Sequence, residues 1–368
     1  MNISDPEDLV IVDSLSEKWY GELIPAFCSH CNQSFFMKPG LLHHYCPFCL
    51  ENGFEIHPIL TFSEKPELIL PFRINHEQVE GIFKRFLENI WLKPNDLNPS
   101  NLKYRASYHY WIMWLLDSQV DGFWKAEVGF DYKIKSSVET YQNQTWDSKE
   151  EIGVKTRWES RMGEIHRMVQ NINLPALAQH EILLQMIGDF DLKFATRTSE
   201  ANLQEMVVAP EVNPQKVWDQ AKVLLDKAVE NECARACNGQ HIRGFSISAE
   251  YGSKNWSLLL LPYIASYYVN DTGEKIPVYI NGQSGRIHGS RFVSTHKALS
   301  IAAIGGIISL LMIISGILAL ILGSVLPPLP IIGLILITFS FVIGILSILP
   351  VIWAMFHNKQ EKDIAIHL

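Results

Sequence analysis

The chain has 368 residues, 48% of them hydrophobic, and its 31 Lys and Arg against 39 Asp and Glu give a formal net charge of −8 at pH 7. This acidic balance disfavours extended contact with nucleic-acid phosphates, and it provides no general attraction to an anionic lipid surface. Six cysteines in a cytosolic protein indicate metal binding or free thiols rather than disulfides.

The N-terminal segment, residues 1–20, has no basic start and no apolar stretch of signal-peptide length. We therefore expect residues 1–297 to lie in the cytosol. A region of this length predicts roughly two domains.

Four of the cysteines form two closely spaced pairs, Cys28-x-x-Cys31 and Cys46-x-x-Cys49. A CxxC segment folds into a tight knuckle whose two sulfurs face one ion, and two knuckles supply the tetrahedral four-thiolate shell that zinc prefers. Four protein ligands leave no open coordination position. We therefore predict one structural zinc per chain, with rubredoxin-like iron as the alternative.

The segment between the pairs predicts a short β-hairpin that completes a zinc ribbon over residues 21–58. Phe35, Phe36 and Tyr45 would fill its interior, and Pro39-Gly40 would form its turn. The ribbon precedes an α+β domain that we place over residues 72–291.

An amphipathic helix is predicted over residues 75–93. Its apolar residues recur at helical spacing: Val79, Ile82, Phe83, Phe86, Leu87, Ile90 and Trp91. Asn75 is placed to cap the first turn, Gln78 to complete a capping box, and Pro94 to end the helix.

The chain then becomes aromatic and β-rich. Three long strands are predicted, over residues 104–116, 123–134 and 154–169. Asp121-Gly122 is expected to be a turn, and the polar residues 141–151 an exposed loop. A short helix is predicted over residues 175–187, and residues 189–206 fit either a helix or a strand.

A second long helix is predicted from Asn213-Pro214 to Asn238-Gly239, with Asn at the cap and Pro in the first turn. Strands follow over residues 243–250, 256–269, 276–280 and 286–289. The order of a helix followed by aromatic strands thus occurs twice. We interpret residues 75–135 and 213–289 as a possible internal duplication.

Cys233 and Cys237 lie four residues apart on this second helix, so their thiols share one face. A redox pair or a second metal half-site is one interpretation. Simple packing between the helix and the sheet is favoured, because the C-terminal end of a helix disfavours a thiolate.

Recognisable catalytic motifs are absent from the sequence. It contains no GxxxxGK[ST] phosphate loop, no HExxH, no GxSxG and no dinucleotide fingerprint. Gly252-Ser253-Lys254 is the nearest approach to a phosphate loop. The segment from Asn281 to Gly285 is predicted to be a tight turn between two strands rather than a ligand loop.

Residues 298–356 contain no Asp, Glu, Lys or Arg. One membrane-spanning helix needs about 20 apolar residues, so this stretch is long enough for two transmembrane helices, which we place at residues 298–325 and 331–356. Prolines 327, 328 and 330 break the stretch. Small residues at four-residue spacing are expected to bring the helices together: Ser315, Ala319 and Gly323 in the first, Ser340 and Gly344 in the second.

Basic residues flank this transmembrane hairpin on both sides: Arg286, Arg291 and Lys297 before it, and Lys359 and Lys362 after it. Positive charge stays cytoplasmic. We therefore expect an integral protein of the bacterial inner membrane, with both termini, including a tail over residues 357–368, in the cytoplasm.

A family resemblance rests on the two CxxC pairs and three further segments: Trp91-Leu92-Lys93-Pro94-Asn95-Asp96-Leu97, Leu260-Leu261-Pro262 and Asn281-Gly282-Gln283-Ser284-Gly285. In this order of parts, nearly the whole chain resembles bacterial membrane-anchored proteins described as transcription-factor-IIB-type zinc-ribbon proteins, loosely labelled primosomal-protein-N′-like. The resemblance implies an architecture and no particular reaction. Departures from the family pattern occur before Trp114, at Tyr263-Ile264 and at Phe292-Val293.

Two interpretations of function remain. The first is a membrane-tethered zinc-ribbon protein that acts as an interaction module or scaffold for a cytosolic protein, with lipid contacts made by its two helices. The second is an enzyme whose catalytic residues are dispersed along the chain. We favour the first because no nucleophile, base, nucleotide or cofactor motif is present. Nucleic-acid binding is a third alternative, which the acidic charge balance disfavours.

Overall fold

The computed structural model describes residues 23–56, 66–142, 145–198, 203, 205–236, 239–322 and 328–367. Within these ranges the chain is a mixed α/β structure built on one sheet. The strands are β1 (Ile24–Cys28), β2 (Ser34–Met37), β3 (Phe54–Ile56), β4 (Leu68–Ile69), β5 (Ser107–Gln142), β6 (Thr145–Pro175), β7 (Thr196–Arg197), β8 (Met206–Val208), β9 (His241–Val269), β10 (Lys275–Asn281) and β11 (Ile287–Gly289). The α-helices are α1 (His76–Phe86), α2 (Pro99–Tyr104), α3 (His180–Ile187), α4 (Trp218–Ala236), α5 (Thr295–Leu322) and α6 (Leu329–His367).

Strands β5 and β9 form the centre of the sheet and run antiparallel, with Tyr110 opposite Pro262. The sheet continues through β10 and β11 on one side. On the other side, β5 pairs with β6 and with β8, and β8 leads to β2, β1 and β3. Phe35 of β2 lies opposite Val208 of β8. β1, β2 and β3, the strands around the cysteine pairs, are therefore hydrogen-bonded into the central sheet.

The two faces of the sheet are covered by different elements, because side chains alternate along each strand. Ile112 and Trp114 of β5 face the side on which α4 packs, and α1 and α2 cover the neighbouring part of that side. Trp111 and Met113 face the other side, where they pack with α3 and the cysteine segment.

Helix α1 begins as predicted and ends earlier. The side chain of Asn75 accepts from the Gln78 N–H at 2.9 Å, and the Gln78 side chain accepts from the Asn75 N–H at 3.0 Å, so the predicted capping box is confirmed. The predicted end at residue 93 is wrong, because the helix stops at Phe86 and the backbone takes positive φ at Asn89 (61°) and Leu92 (57°).

The predicted turn at Asp121-Gly122 and the predicted loop over residues 141–151 are both wrong. β5 runs continuously through Gly122, and β6 pairs with it from Thr145 opposite Gln142 to Pro175 opposite Met113. A side chain at position 122 would collide with the Ser248 carbonyl of β9. The glycine is thus required for close strand approach, which sequence alone does not distinguish from a turn.

The long strands form an arm that projects from the sheet. From Gln119 to Gln142, β5 extends about 80 Å at about 3.3 Å per residue. β9 accompanies it as far as the pairing of His241 with Gly129, and beyond that β5 and β6 continue as a two-stranded ribbon. We call residues 119–142, 145–169 and 241–252 the arm.

The second predicted helix begins at its predicted cap, since the side chain of Asn213 accepts from the Gln215 N–H at 2.9 Å. A 3₁₀ turn, Pro214–Val217, leads into α4. Cys233 lies on the buried face of α4, in the core between this helix and the sheet. Cys237 and the predicted helix end at Asn238 lie outside the described residues. The short helix predicted from Pro175 begins only at His180, because Pro175 is the last residue of β6.

Helices α5 and α6 are long and apolar enough to cross a membrane by length and composition, and most of their side chains are exposed. They pack antiparallel: Gly305 lies beside Ser347, and Gly316 beside Gly333. Ser309 donates to the Ser340 carbonyl at 2.8 Å. The residues between them, 323–327, with most of the predicted turn and Gly323, lie outside the described part of the chain.

The prediction of which small residues join the two apolar helices is correct for α6 and wrong for Ser315 of α5. Ser340 and Gly344 of α6 lie against Ser309. Ser315 is exposed and donates to the Leu311 carbonyl of its own helix, so it lies away from α6. The α5 side of the contact is made instead by Gly305, Ser309 and Gly316. α6 also continues beyond residue 356, so the predicted tail is helical as far as His367.

The end of α6 packs against the α+β part of the chain. Glu361 accepts from the Arg291 N–H at 2.9 Å. Lys297 of α5 donates to the Lys93 carbonyl at 2.6 Å. The rings of Trp91 and Trp353 lie 5.2 Å apart at the same junction. The two apolar helices are therefore fixed to this α+β part of the chain, which we call the head.

Candidate metal centre

The four N-terminal cysteines come together in space. All four sulfurs lie within 4.8 Å of one another. The Sγ atoms of Cys28 and Cys49 are 3.5 Å apart, and those of Cys31 and Cys46 are 3.6 Å apart. A tetrahedral ion with metal–sulfur bonds of about 2.3 Å places its sulfurs about 3.8 Å from one another. The cluster thus has the dimensions of a four-thiolate metal site.

The two knuckles have the same backbone conformation. The Asn32 N–H donates to the Cys28 carbonyl at 2.8 Å, and the Leu50 N–H donates to the Cys46 carbonyl at 2.9 Å. Asn32 and Leu50 both have positive φ, 60° and 61°. Asn tolerates this region, but Leu there costs about 1–2 kcal/mol. The second knuckle therefore keeps a strained backbone that matches the first.

Without a cation, burial disfavours the thiolate form at two of the four sulfurs. Burial raises the pKa of Cys31 to about 11 and raises the pKa of Cys46 further. Burial also acts to raise the pKa of Cys28, but hydrogen bonds from the backbone of Cys31 and His30 outweigh it and hold this pKa below its usual value. A divalent cation between the sulfurs would stabilise four thiolates that otherwise repel one another.

The segment that carries the four-cysteine cluster is fixed to the central sheet. Tyr279 of β10 donates to the Pro47 carbonyl at 2.9 Å. Lys275 of β10 donates to the Leu50 carbonyl at 2.8 Å, and its Nζ lies 4.7 Å from the centroid of the Tyr45 ring. Phe35 packs edge-on against Phe54 on the inner side. Tyr45, predicted to fill the hairpin, is 42% exposed and contributes to this contact instead.

A cavity of about 410 Å³ adjoins the second knuckle, lined in part by Cys46, Ser107 and His109. The Oγ of Ser107 lies 2.6 Å from the Nε2 of His109. His109 is buried, which lowers its pKa to about 3, and its Nδ1 has no hydrogen-bond partner among the described residues. A histidine this weakly basic, with no carboxylate to orient it, is poorly suited to activate the serine.

This pair was not among the predicted site residues, although the pattern Ser-x-His on a strand places both side chains on one face. Other buried polar atoms of the same region also lack partners among the described residues: Trp111 Nε1, His180 Nδ1 and Tyr263 OH. The rings of Trp111 and His109 each lie 5.3 Å from that of Tyr263. Burying these polar atoms without hydrogen bonds in an apolar core reduces the free energy of unfolding.

The structure brings together four of the candidate site residues: Cys28, Cys31, Cys46 and Cys49. Cys233 lies apart from them, on the buried face of α4. The cluster is compatible with a structural metal ion. Comparison of the chain with protein-family models, with curated proteins and with solved structures finds no match.

Proposed function

We propose that the chain is a membrane-anchored zinc-ribbon protein that presents a protein-interaction surface on the cytosolic side of the membrane. α5 and α6 form the anchor, residues 21–58 form the ribbon, and the α+β head carries the surface. The same order of parts supports placing the chain with the membrane-anchored transcription-factor-IIB-type zinc-ribbon proteins. The arm carries the proposal, because it exposes an apolar face that nothing in the described chain covers.

The apolar face of the arm lies opposite α4. Phe123 is 65% exposed and Met162 is 80% exposed. The other large apolar side chains on this face are exposed as well: Ile152, Val154 and Met168. By contrast, Val120 and Val128, which face α4, are buried. Phe123 and Met162 line one cavity of about 570 Å³ on this face, and the other three apolar side chains lie elsewhere along the arm. Exposed large apolar side chains that gather at a cavity indicate a surface that binds a partner.

A cytosolic protein is the proposed occupant of this face. Charged side chains of both signs lie on either side of Phe123 and Met162 along this face, with Arg243 paired to Glu127 and His166 to Asp121. A mixed polar rim around an apolar centre is the composition of a protein-protein interface. A nucleic acid would instead require an excess of positive charge along the strands.

Site-specific photo-crosslinking in cells tests this surface. A photoreactive phenylalanine analogue is placed at Phe123 or Met162, and at exposed Lys227 on α4 as the control. We expect a discrete adduct from the two arm positions and none from α4. In a second step, Met162→Ser should reduce the adduct formed at Phe123, whereas Val223→Ser, which removes a 64% exposed side chain from α4, should leave it unchanged.

The outcomes separate the occupants. An adduct with another protein supports the proposal, and an adduct of twice the chain mass identifies a second copy as the occupant. Equal labelling from the arm and α4, or none from the arm, would overturn the proposal.

The membrane anchor is supported by the flanking charges and by the exposed apolar side chains of α5 and α6. Trp91 and Trp353 at the junction are 51% and 37% exposed, as expected of tryptophans at a membrane interface. Tags at both termini should report the cytoplasm, and a cysteine label in residues 325–330 should report the opposite side. Opposite locations of the two termini would contradict a two-span anchor.

An enzyme remains the second candidate, and the Ser107–His109 pair is the observation in its favour. A fluorophosphonate probe labels activated serines. Labelling of the purified full-length chain that disappears in Ser107→Ala would favour the enzyme. We expect no labelling, because His109 is a weak base in its buried position.

A further inference from the structure

A cationic cavity of about 700 Å³ lies where the head meets the base of the two apolar helices. Arg85 near the end of α1, Arg286 beside β11 and Arg291 ahead of α5 line it together with Glu361 of α6. We call it the arginine cavity. Its residues come from three separate segments of the chain, so it could not be predicted from the sequence.

The charges of the arginine cavity are not balanced. None of the three guanidinium groups forms an ion pair among the described residues, and Glu361 is the one carboxylate among the lining residues. That carboxylate already accepts the backbone N–H of Arg291. The local excess of positive charge is opposite in sign to the formal net charge of −8. An anion is therefore the ligand that this cavity favours.

His288 adds a neutral polar group to the cavity. Burial and the nearby charge of Arg286 lower its pKa, and Glu361 acts in the opposite direction. The imidazole is then uncharged near neutral pH. It can donate one hydrogen bond to an oxygen of a ligand, as can the hydroxyl of Ser284 on the same wall.

The position of the cavity identifies the source of the anion, and this step rests on the proposed membrane anchor. Phe356 is the last apolar residue of the stretch on α6, and Glu361 follows about 7.5 Å further along the helix axis. The headgroup layer on each side of a bilayer is about 5–8 Å thick. The cavity thus opens at the depth of lipid headgroups.

We propose that the arginine cavity binds the phosphate of an anionic glycerophospholipid headgroup. Guanidinium groups bind phosphate oxygens through paired N–H donors, which an ammonium group cannot reproduce. Arg85 and Arg291 face the phosphate from the α1 and α5 sides, and Arg286 lies at the edge of the cavity, with its guanidinium beside Gly188. The bound lipid fixes the head against the cytosolic leaflet.

Native mass spectrometry of the full-length protein in a non-ionic detergent tests this inference, with phosphatidylglycerol and phosphatidylcholine as probes. We expect at least a tenfold preference for phosphatidylglycerol. Arg85→Gln with Arg291→Gln should reduce phosphatidylglycerol binding about tenfold or more, to the level of phosphatidylcholine. Arg235→Gln, on α4 and away from the cavity, is the matched control and should leave the preference unchanged.

Further measurements separate the remaining outcomes. Arg291→Lys keeps the charge without the paired donors and should give an intermediate loss, while an unchanged thermal midpoint shows that each variant is folded. Inorganic phosphate in the millimolar range should not displace the lipid, and displacement would assign the site to a soluble phosphate compound and overturn the lipid.

Alkaline carbonate extraction of the same protein from vesicles checks the anchor independently. If the protein is extracted, the anchor has failed. If it stays inserted but shows no phosphatidylglycerol preference, or a preference that the arginine variants retain, the inference about the arginine cavity is overturned.

Discussion

The side-chain amide of Asn358 makes two hydrogen bonds with the backbone of Val293. Its oxygen accepts from the Val293 N–H at 2.8 Å, and its nitrogen donates to the Val293 carbonyl at 3.0 Å. Asn358 lies near the end of α6, and Val293 is buried just before α5 begins. One polar side chain thus ties the exit of the second apolar helix to the entrance of the first.

Replacing this amide should loosen the junction between head and helices. Asn358→Ala removes two hydrogen bonds, each worth about 1 kcal/mol net. We expect faster trypsin cleavage after Arg291, an exposed residue of the same segment, in the full-length protein in detergent. Gln360→Ala, two residues further along α6, is the control and should match the unsubstituted protein. Equal cleavage rates for both variants would show that Asn358 does not hold the junction.

The metal prediction is one zinc per chain, bound through Cys28, Cys31, Cys46 and Cys49. Elemental analysis should give one zinc in the purified protein and none after any one of these is changed to Ser. Because these strands pair with β8, loss of the metal should also lower the thermal midpoint of the head. Cys233→Ser should leave the zinc content unchanged, and so should the double change with Cys237. Two metals per chain, or iron, would contradict the prediction.

The ion pair between Asp96 and Arg105 should contribute strongly to stability. Asp96 accepts from both terminal nitrogens of Arg105, at 2.5 and 2.9 Å, and from the Val269 N–H at 2.6 Å. Both side chains are about a quarter exposed. Asp96→Ala leaves a partly buried guanidinium unpaired, and we expect a loss of about 3 kcal/mol in unfolding free energy.

The arm supplies a matched control for this change. Lys135 and Glu150 form an ion pair of 3.6 Å with 75% and 73% exposed side chains. Glu150→Ala should cost less than about 1 kcal/mol. Chemical denaturation in detergent, followed by tryptophan fluorescence, measures both. Similar costs for the two variants would contradict the prediction.

His180 should make the protein sensitive to acid. Its burial lowers its pKa from 6.5 to about 4, so the folded state stays neutral while the unfolded state takes up a proton as the pH falls below 6.5. Stability is therefore lost between pH 6.5 and pH 4, at about 1.4 kcal/mol per pH unit. His180→Leu should remove its own share of this dependence in thermal melts, and the share of His109, whose pKa is lowered to about 3 by burial, should remain. The exposed residue His43 serves as control, since His43→Leu should leave the slope unchanged.

Features set by neighbouring residues could be predicted from the sequence. The capping box of Asn75 and Gln78 depends on residues three apart, and the two CxxC knuckles depend on residues three apart as well. The turn before Gly285 also formed as predicted, with β11 paired to β10 and φ of 75° at the glycine. These elements need no information from distant parts of the chain.

Features set by distant contacts could not be predicted. Gly122 resembled a turn glycine, and only its approach to Ser248 of β9 explains why a strand continues through it. Ser315 matched the spacing of a helix contact, but the rotation of α5 against α6 selected Ser309 instead. The arginine cavity is the clearest case, because its residues adjoin only after three segments have packed together.

The pairing of β2 with β8 has a consequence for synthesis of the chain on the ribosome. Phe36 of β2 needs Val207 as its partner. At about 5–20 residues per second, translation of the intervening segment takes roughly ten to thirty seconds. During that time β1 to β3 have left the ribosome, but β8, with which β2 pairs, has not yet been made. A metal ion bound by the two knuckles would keep this segment folded until β8 has been synthesised.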